Sequence, residues 1–512
     1  MNTSVKKILI VGGGSAGWLT ASLLAADYRF DKSVQISLVE SPDVKHIGVG
    51  EGTWPSMRGT LQRIGLSETD FIVSCNASFK QGSWFRNWHT HTHPNHYHHP
   101  FTPPVAAAEF DIAPYWFPHS DKVDFAHAVS TQAAMIEAGL APKQITTPEY
   151  AFVNNYGYHL DAGRFVQLLQ RHAVNQLGVE HILDNVVSVN GDKDKPIQSI
   201  QTAQHGLIEA DLFIDCSGFA SLLLGQHYDI NFLEQRHVLF NDCALAAQVN
   251  YAEPETAIAS ATLATAQSAG WIWDIGLQTR RGIGHVYSSA HSSDENAEHT
   301  LRRYIGEQGA DVEVRKIAIK PGFRETFWQH NCVGVGMAAG FIEPLEASAL
   351  VMVELAAKFI SEQLPSGQRQ MAITAKRFNE TFRYRWERII DFLKLHYVLS
   401  KREDSDYWRD NRDAASIPES LSEMLEVWRG HSPSRYDVPM AEELFPAASY
   451  QYILYGLQHC AGKKSKPVNP RFQQRALQQF QYMAAQKQQL KAGLPNNRTL
   501  LKQIASHGLQ TI

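Results

Sequence analysis

The apolar positions at the start of the chain come in short runs that end at glycine or at a polar turn. Residues 6–14 (KKILIVGGG) and 34–41 (VQISLVES) are two such runs, and residues 15–28 (SAGWLTASLLAADY) between them have the composition of a helix. Apolar, β-branched runs that stop at turn residues predict strands. The first fifty residues therefore predict a β-α-β unit whose second strand ends at Glu40.

Two later segments repeat this pattern of buried strand, glycine turn and helix. They are residues 209–221 (EADLFIDCSGFAS) and residues 331–360 (NCVGVGMAAGFIEPLEASALVMVELAAKFI). Three such strand ends, far apart in the chain, predict one Rossmann-like α/β module assembled from distant segments. Residues from about 85 to 125 are rich in histidine and proline and predict irregular structure, whereas the periodicity from about residue 370 onward predicts helices.

Composition and charge narrow the class of protein. The chain has 512 residues, of which 44% are hydrophobic and 19% charged, with a formal net charge of −5. These values are typical of a globular protein and give no electrostatic reason to expect a nucleic acid partner. No apolar run is long enough to cross a bilayer, and the first run is too short for a signal peptide. Five scattered cysteines without a CxxC pair favour reduced thiols in a cytoplasmic protein: Cys75, Cys216, Cys243, Cys332 and Cys460.

The segment GGGSAG (residues 12–17) follows the first predicted strand and opens the first predicted helix. Gly12, Gly14 and Gly17 match GxGxxG, whose glycines allow a tight turn and a close approach of the backbone to a pyrophosphate at the helix N-terminus. Glu40 lies about twenty residues further on, where an acidic residue binds a ribose hydroxyl. The pattern predicts dinucleotide binding, and a glycine-rich turn without a ligand is the alternative.

This loop does not decide between FAD and NAD. No second GxGxxG follows a strand in the middle of the chain, although a flavoprotein with its own nicotinamide site usually has one. If the dinucleotide is a flavin, its electrons are therefore expected to come from another protein.

Trp271 and Trp273 stand one residue apart in the segment SAGWIWDIG. Residues two apart in a strand point to the same face, so the two indoles are expected to stand side by side as a wall. A pair of ordinary core aromatics on a buried strand is the alternative, because aromatic side chains dominate protein cores.

Several stretches taken together identify a family that the chain resembles. They are VGGGSAGW (11–18), IGVGEGTWPS (47–56), NASFKQG (76–82), YGYHLDAGRF (156–165), ADLFIDCSGFASLL (210–223), GWIWDI (270–275), NCVGVGMAAGFIEPLEASAL (331–350) and RWERIIDFLKLHY (385–397). These stretches resemble those of the flavin-dependent tryptophan and indole halogenases. The resemblance covers the chain from residue 6 to about residue 410.

The resemblance implies a fold, a reaction and a partner. The fold is an FAD-binding module of the flavin monooxygenase type over residues 1–390, with an irregular substrate-lining insertion at about 85–150, and a mainly helical substrate module over residues 391–512. The reaction uses FADH2, O2 and bromide or chloride to form hypohalous acid, which passes through an internal tunnel and halogenates an electron-rich, indole-like aromatic. A separate NAD(P)H-dependent flavin reductase supplies the FADH2, and the halogenase is a monomer or a homodimer. Bromide is favoured because it is more easily oxidised and less strongly hydrated.

The resemblance also implies roles for individual residues. Lys80 and Glu346 are the implied catalytic residues, with Glu343 as the alternative to Glu346, and Trp271 and Trp273 shield the substrate from the flavin. Backbone N–H groups at Ser348 and Ala349 are expected to hold the halide, although many members have Ser-Thr-Gly where this chain has Ala347, Ser348 and Ala349. Gly276 stands where the family usually has proline, which predicts a less rigid turn. The implied cofactor-binding residues are Gly12, Gly14, Ser15, Ala16, Gly17, Glu40, Gly50, Glu51, Asp215 and Gly340.

The substrate side is less well defined. The tyrosine pair and downstream glutamate that hold free tryptophan in the family have no equivalent in FPAASYQYILYGLQHC (445–460), which favours a smaller indole-like ring. Aromatic residues suited to stack on such a ring are the expected lining: Trp84, His99, Phe101, Tyr452 and Tyr455. Two other functions remain alternatives, namely a single-component flavin monooxygenase and a flavin-binding protein without turnover.

The run WHTHTHPNHYHHP (88–100) contains six histidines, which are common metal ligands. No acidic or thiolate partner accompanies them in the sequence, two prolines interrupt the region, and the implied chemistry needs no metal. We therefore expect no metal here but a substrate-lining loop with solvated histidines.

Overall fold

A computed structural model describes residues 5–44, 50–459 and 469–511. The strands of the described residues are β1 Lys7–Val11, β2 Gln35–Glu40, β3 Gly50–Gly52, β4 Ser78–Lys80, β5 Gly82–Arg86, β6 His96–Pro100, β7 Gly157–Asp161, β8 Glu180–Leu183, β9 Val186–Asn190, β10 Ser199–Thr202, β11 Gly206–Glu209, β12 Leu212–Asp215, β13 Phe232–Glu234, β14 Cys243–Asn250, β15 Thr262–Gln267, β16 Gly270–Gly276, β17 Arg280–Tyr287, β18 Val314–Ala318, β19 Gly322–Arg324, β20 Trp328–Gln329, β21 Cys332–Gly334 and β22 Gly340–Phe341.

The α-helices of the same residues are α1 Ser15–Asp27, α2 Ser56–Arg63, α3 Glu68–Ser74, α4 Ala113–Trp116, α5 Phe125–Val129, α6 Gln132–Glu137, α7 Ala162–Asn175, α8 Asp294–Ile305, α9 Ser348–Glu362, α10 Gln368–Val398, α11 Asp406–Asp410, α12 Glu419–Val427, α13 Ala447–Gly456, α14 Pro470–Gly493 and α15 Asn497–His507. Short 3-10 turns connect several of these elements, and Leu222–His227 form a π-helical turn.

The chain forms two compact units. Unit 1 consists of Met1–Asn76, Leu160–Gln235 and Lys320–Trp386, and unit 2 consists of Ala77–His159, Arg236–Ile319 and Glu387–Ile512. Each unit therefore combines three separate segments of the chain. The C-terminal helices belong to the same unit as two earlier segments, and the predicted division at residue 390 into cofactor and substrate modules stays a prediction.

Unit 1 is built on a six-stranded sheet in the order β20-β21-β12-β1-β2-β8. All neighbours in it are parallel except β20, which pairs antiparallel with β21. The apolar residues of the central strands form a core with the π-helical turn, including Leu9, Phe213 and Leu224, while α1 packs against α7 and α9. The three predicted strand–turn ends thus belong to neighbouring parallel strands, which confirms the α/β module assembled from distant segments.

Unit 2 is built on a seven-stranded sheet in the order β18-β14-β17-β16-β15-β5-β6. Only β15 and β5 pair in parallel, and the other neighbours are antiparallel. One face packs against α8 through alternate strand residues such as Ile272 and Ile283. The period of two in a strand sends Trp271 and Trp273 to the opposite face.

Three local predictions have different outcomes. The expected helices after residue 370 are confirmed as α10, α12 and α14. The expectation of irregular structure from 85 to 125 is wrong for His96–Pro100, which form β6 by pairing with β5. Gly276 is the last residue of β16, where it pairs with Arg281 and its carbonyl accepts a hydrogen bond from Ser78 Oγ at 2.5 Å. The expected lower rigidity of the turn that follows stays a prediction.

The remaining sequence expectations concern cysteines and membranes. Four of the cysteines are buried free thiols: Cys75, Cys216, Cys243 and Cys332. The fifth, Cys460, lies outside the described residues, as do residues 47–49 of the stretch IGVGEGTWPS that carries the family resemblance. Among the helices of the described ranges, none has the length and apolar character that crossing a bilayer requires.

Candidate active site

The glycine loop between β1 and α1 is shaped by close contacts of the backbone. Gly12 has a φ of +117°, and a Cβ there would lie 2.3 Å from the carbonyl oxygen of Cys216. A Cβ on Gly17 would lie 1.9 Å from the carbonyl oxygen of Gly12. Both positions therefore exclude any side chain, because the loop is pressed against the turn after β12 and against its own helix.

Gly14 differs from its neighbours because a Cβ there would meet no atom within 4 Å. It is the N-cap of α1, and it has no side chain to satisfy the first N–H groups of the helix, among them those of Ser15 and Ala16. Unsatisfied N–H groups at a helix N-terminus bind phosphate groups. The open space at Gly14 leaves room for a phosphate group, and contacts within the protein do not require glycine at this position.

Glu40 lies at the end of β2, beside the loop. A Cβ on Gly13 would lie 1.5 Å from Oε2 of Glu40, so the middle glycine makes room for this carboxylate. The other oxygen, Oε1, lies 3.2 Å from Nε2 of Gln170 and 2.8 Å from Nε2 of His181. The sequence analysis missed Gly13 because GxGxxG leaves that position open, although a run of three glycines is a visible signal.

Asp215 ends β12 and is fully buried. Its Oδ2 accepts hydrogen bonds from the backbone N–H groups of Leu223 and Leu224 at 2.9 Å, and its Oδ1 accepts from the N–H and hydroxyl of Ser217. Asp215 thus holds the segment after β12 in place, because its carboxylate accepts hydrogen bonds from N–H groups at the start of the π-helical turn. Direct contact of Asp215 with a cofactor stays a prediction.

The other predicted cofactor residues of unit 1 lie in short strands. Gly50 and Glu51 belong to β3, and Gly340 belongs to β22, where it pairs with Phe323. Burial, and to a lesser degree the charge of Asp161, raises the pKa of Glu51 to about 7. A carboxyl that exchanges its proton near neutral pH is unusual and is found mostly at functional sites.

Glu346 lies in a strained turn directly before α9. Glu346 and Ala347 both have positive φ angles, 65° and 56°, which non-glycine residues adopt at a cost of about 1 kcal/mol or more each. Glu346 and Glu343 are 7% and 1% exposed. Strain of this kind persists only where surrounding contacts fix the backbone.

One of these contacts comes from Trp54. Its indole N–H donates a hydrogen bond to the carbonyl oxygen of Glu346 at 2.8 Å. Trp54 stands in GEGTWPS, a stretch that carries the family resemblance, but nothing in the sequence connects it with a carbonyl 292 residues away.

The N-terminus of α9 has the features of an anion site. Its N-cap is Ala347, which has no side chain to cap the helix, and its first turn contains no acidic residue. Ala347 is left-handed and Ser348 right-handed in conformation, an arrangement that turns successive N–H groups towards one concave surface. The predicted halide donors Ser348 and Ala349 therefore lie at the positive end of a 15-residue helix.

Lys80 ends β4 in unit 2 and is 1% exposed. Its Nζ lies 5.3 Å from the centre of the Phe101 ring, so the structure brings the predicted catalytic lysine to one of the predicted lining aromatics. Burial, together with the charge of Lys80, lowers the pKa of the nearby His159. His159 is therefore neutral, and its Nε2 lies 2.8 Å from Thr262 Oγ1.

Strand β4 is held by side chains from distant parts of unit 2. The hydroxyl of Ser78 binds the carbonyl of Gly276 in β16, and Asn497 Nδ2 at the start of α15 donates to the carbonyl of Phe79 at 3.2 Å. The strand of Lys80 is thereby tied to the strand of the tryptophan pair. Neither Ser78 nor Asn497 belongs to a recognisable motif, so the sequence analysis missed both.

Trp271 and Trp273 stand side by side on one face of β16, as predicted. They are 1% and 7% exposed, and their ring centres lie 6.4 Å apart. Trp273 lies opposite Gly284 of β17, where a Cβ would come within 2.1 Å of the indole. Gly284 therefore makes room for this ring, and the sequence analysis missed it.

The predicted lining aromatics fall into separate groups. His99 lies 6.2 Å from Tyr452 between ring centres, and its Nε2 lies 3.0 Å from the hydroxyl of Ser449. Tyr455 packs against Phe125 at 4.7 Å between ring centres. Trp84 stacks on His98 instead, and because His98 and His99 alternate along β6, Trp84 and His99 point to opposite faces of the sheet. The structure does not bring these two together around one ring.

Comparisons with known proteins match most of the chain, including segments of both units. The profile of the family described as tryptophan halogenase matches residues 7–473. The tryptophan 6-halogenase SttH of Streptomyces toxytricini is 33% identical over 478 residues, which cover 89% of this chain and 90% of that protein. The tryptophan 7-halogenase RebH of Lentzea aerocolonigenes is 31% identical, covering 84% of this chain and 83% of its own length.

Two solved structures are similar in fold. The crystal structure of a tryptophan halogenase from Shewanella frigidimarina NCIMB 400 superposes with a TM-score of 0.97 at 49% identity and covers 100% of both chains. BrvH, a flavin-dependent halogenase from Brevundimonas sp. BAL3, superposes with a TM-score of 0.85 at 31% identity and covers 98% of this chain and 99% of that one.

Proposed function

Since the chain belongs to the tryptophan halogenase family, we propose that it is a flavin-dependent halogenase of an electron-rich, indole-like aromatic, with bromide as its preferred halide. The observation that carries the proposal is the burial of Lys80, a lysine 1% exposed beside an aromatic ring. In a buried setting an amine serves as a nucleophile or a hydrogen-bond donor to a small guest.

FAD is the proposed cofactor of unit 1. The open space at Gly14 and the uncapped start of α1 support a pyrophosphate site, and the carboxylate of Glu40 beside the loop supports a ribose site. When bound in its reduced form, FAD would supply two of the four electrons that reduce O2, and the halide would supply the other two, so that hypohalous acid and water are the products.

The N-terminus of α9 is the proposed halide site. Backbone N–H groups of Ser348 and Ala349 are donors whatever side chains they carry, so the departure from Ser-Thr-Gly leaves the donors in place. Trp54 fixes the carbonyl of Glu346 and thereby the left-handed turn that aims these donors. We therefore infer that Trp54 positions the halide site.

Lys80 and Glu346 are the proposed catalytic residues. The amine Nζ of Lys80 binds the oxidised halogen species, or is itself halogenated by it, and presents it to the aromatic substrate. The carboxylate of Glu346 accepts the ring proton that the incoming halogen replaces, which is the task of a general base.

Trp271 and Trp273 are proposed to shield organic substrate from the flavin. Their burial alone fits core packing as well. The shielding role is supported by the family resemblance around GWIWDI and by the link from β16 to the strand of Lys80 through Ser78.

Flavin-dependent halogenases act on small aromatic substrates and receive reduced flavin from a separate reductase, and the same partner is proposed here. A cytoplasmic location and a monomeric or homodimeric state stay predictions. The curated relatives are named as tryptophan halogenases, whereas the missing tyrosine pair and glutamate favour an indole-like ring without the amino acid group.

Mass spectrometry of a panel of indoles and tryptophan tests the proposal. The full chain is incubated with FAD, a flavin reductase, NADH, air and either bromide or chloride. We expect a product with the isotope doublet of bromine or chlorine, and a larger yield from a simple indole than from tryptophan. NADH consumption without added reductase would instead indicate a single-component monooxygenase, and tight FAD binding with no halogenated product would indicate a binding protein.

A further inference from the structure

Two histidines of the run 88–100 to which the proposed halogenation gives no role, His96 and His98, form a compact cluster with a distant carboxylate. Nε2 of His96 lies 3.3 Å from Oε1 of Glu137, and Nε2 of His98 lies 3.8 Å from the same oxygen. The ligand-capable atoms of these three residues all lie within 4.8 Å of one another. His96 and His98 alternate along β6 and so share one face, while Glu137 ends α6 and supplies the acidic partner that the sequence did not reveal.

His98 is the buried end of this cluster. It is 1% exposed, and its Nε2 has no hydrogen-bond partner among the described residues. A buried polar atom without a partner costs about 1–3 kcal/mol and therefore requires an explanation. Imidazole nitrogen is the commonest metal ligand in proteins, so a bound ion would give this buried atom a partner. The expectation of solvated histidines is wrong at this position.

We propose that His96, His98 and Glu137 bind a zinc ion. In a tetrahedral site with metal–ligand bonds of about 2.0–2.2 Å, neighbouring ligand atoms lie about 3.3–3.5 Å apart. The 3.3 Å separation between Nε2 of His96 and Oε1 of Glu137 matches that spacing, and the 3.8 Å separation between Nε2 of His98 and the same oxygen is slightly longer. Three protein ligands leave a fourth position for water or another small ligand.

The surroundings of the cluster already orient its ligands. Nε2 of His127 lies 3.1 Å from Oε2 of Glu137, so the second carboxylate oxygen is held while the first faces the two imidazoles. The indole of Trp84 stacks on His98 with 5.3 Å between ring centres. Hydrogen bonds that fix a ligating carboxylate are the usual second layer of a metal site. His96 and Glu137 are 42% and 32% exposed in their side chains, which gives an ion a route to the buried His98.

The ligand set selects among metal ions. Ca²⁺ and Mg²⁺ prefer several oxygen ligands, whereas two imidazoles and one carboxylate suit zinc and other late transition metals. Two cationic side chains, Arg86 and Lys487, influence the electrostatics of the cluster. Their positive charges repel a metal cation and so weaken any site whose affinity depends on the carboxylate charge alone. Coordination by imidazole nitrogen is therefore expected to be the main source of the affinity for zinc.

Zinc titration of the full-length protein tests this proposal. The protein is purified without an affinity tag, stripped with a chelator and titrated with zinc in competition with a chromophoric chelator. We expect one zinc per chain, and a loss of affinity of about 100-fold or more in His96→Ala and in Glu137→Gln, because each variant removes one of three ligands. The matched control His93→Ala removes an exposed histidine of the same run, outside the cluster, and is expected to keep the wild-type affinity.

Thermal unfolding with and without zinc provides a second measurement, which needs no competing chelator. A ligand that binds only the folded state raises the unfolding temperature with concentration. We expect such a rise for the wild type and His93→Ala and none for His96→Ala. A stoichiometry far below one zinc per chain, or equal zinc affinity in His96→Ala and His93→Ala, would show that the cluster is only a network of hydrogen bonds.

Discussion

The two units present their proposed functional groups in different ways. In unit 1 the groups are mostly parts of the backbone: the N–H groups at the start of α1 beside Gly14, and those at the start of α9 after the left-handed turn at Glu346. In unit 2 they are side chains, namely Lys80, Trp271 and Trp273. Ser78 ties the strand of Lys80 to β16, and Gly284 makes room for the ring of Trp273.

This difference determines what each unit tolerates. Backbone N–H groups persist when side chains change, so the segment Ala347-Ser348-Ala349 keeps its donors although its sequence departs from the family. A buried side chain has no such protection, because its position depends on the volume and hydrogen bonds of particular partners. We therefore expect unit 1 to respond mainly to changes in backbone geometry and unit 2 to changes in packing or in a single reactive group.

The largest effect is expected from replacing the reactive group of unit 2. Lys80→Met should lower the rate of halogenation by at least about 100-fold, as the loss of a positioned catalytic group does, while FAD affinity stays unchanged. Product formation by mass spectrometry and FAD titration measure the two quantities. Lys143→Met is the matched control, because Lys143 is also fully buried with Nζ 5.3 Å from a ring centre, that of Tyr156. Its Nζ donates to the carbonyl oxygens of Pro148 and Ala151, and no catalytic role is proposed for it. Equal rates in the two variants would remove the proposed role of Lys80.

A pH-dependent effect is expected in unit 1, from the carboxyl of Glu354 in α9. Burial raises its pKa to about 7, although Thr60 and Ser56 donate hydrogen bonds to it. The folded state therefore holds a proton that the unfolded state releases near pH 4.5, and the stability that Glu354 contributes falls as pH rises from about 4.5 to 7. Glu354→Gln keeps an acceptor oxygen but cannot ionise.

The free energy of unfolding of Glu354→Gln and wild type, measured from pH 4.5 to 8, checks this expectation. The variant should gain stability relative to wild type by on the order of 3 kcal/mol over that range. Glu362→Gln is the control, because Glu362 is an exposed carboxyl on the same helix, with a side chain 49% exposed. A pH-independent difference between Glu354→Gln and wild type would contradict the assignment.

Packing around the tryptophan pair gives the next effect. Gly284→Ala places a Cβ about where the Trp273 indole lies, 2.1 Å from one of its atoms, and both belong to central strands that cannot shift freely. Overpacking of this kind costs about 1–3 kcal/mol, which chemical unfolding measures. Gly430→Ala is the control, since its nearest atom would lie 3.5 Å away. An unchanged free energy of unfolding in Gly284→Ala would show that the side chain of Trp273 is not tightly packed against β17.

The same contrast explains how far the sequence could be interpreted. The β-α-β start, the glycine loop and the shared face of Trp271 and Trp273 follow from local pattern, and the structure confirms them. Gly284, Asn497 and Glu137 act through strand pairing or tertiary contacts over long separations in the chain, which no local pattern encodes. The histidine run shows the limit most clearly: the sequence predicts irregular structure there, whereas β6 places His96 and His98 on one face and their carboxylate partner lies on α6, about forty residues away.

A tenfold effect is expected at the backbone site of unit 1. Gly14→Ala should fold as well as wild type, because the backbone there is extended, with φ −74° and ψ −174°, and the Cβ meets no atom. It should bind FAD at least about tenfold more weakly, or about 1.4 kcal/mol, since the methyl group occupies the space proposed for the pyrophosphate. FAD titration by fluorescence measures this. Gly59→Ala in α2, also with open space at its Cβ, is expected to keep wild-type affinity, and equal affinities of both variants would show that the pyrophosphate lies elsewhere.

The smallest effect is expected where a side chain holds the backbone of unit 1, at Trp54. Trp54→Phe removes the N–H that binds the carbonyl of Glu346 and should cost about 1 kcal/mol of stability. Trp328→Phe is matched to it, because Trp328 donates its indole N–H to the carbonyl of His330 at 3.1 Å, and His330 also has a positive φ. Both variants should lose similar stability, but only Trp54→Phe should raise the KM for halide, by about fivefold for 1 kcal/mol. An equal KM for halide in both variants would mean that the turn at Glu346 does not position the halide. The functional groups supplied by the backbone of unit 1 would then be those of the flavin loop alone, and the contrast with the side chains of unit 2 would rest on that loop.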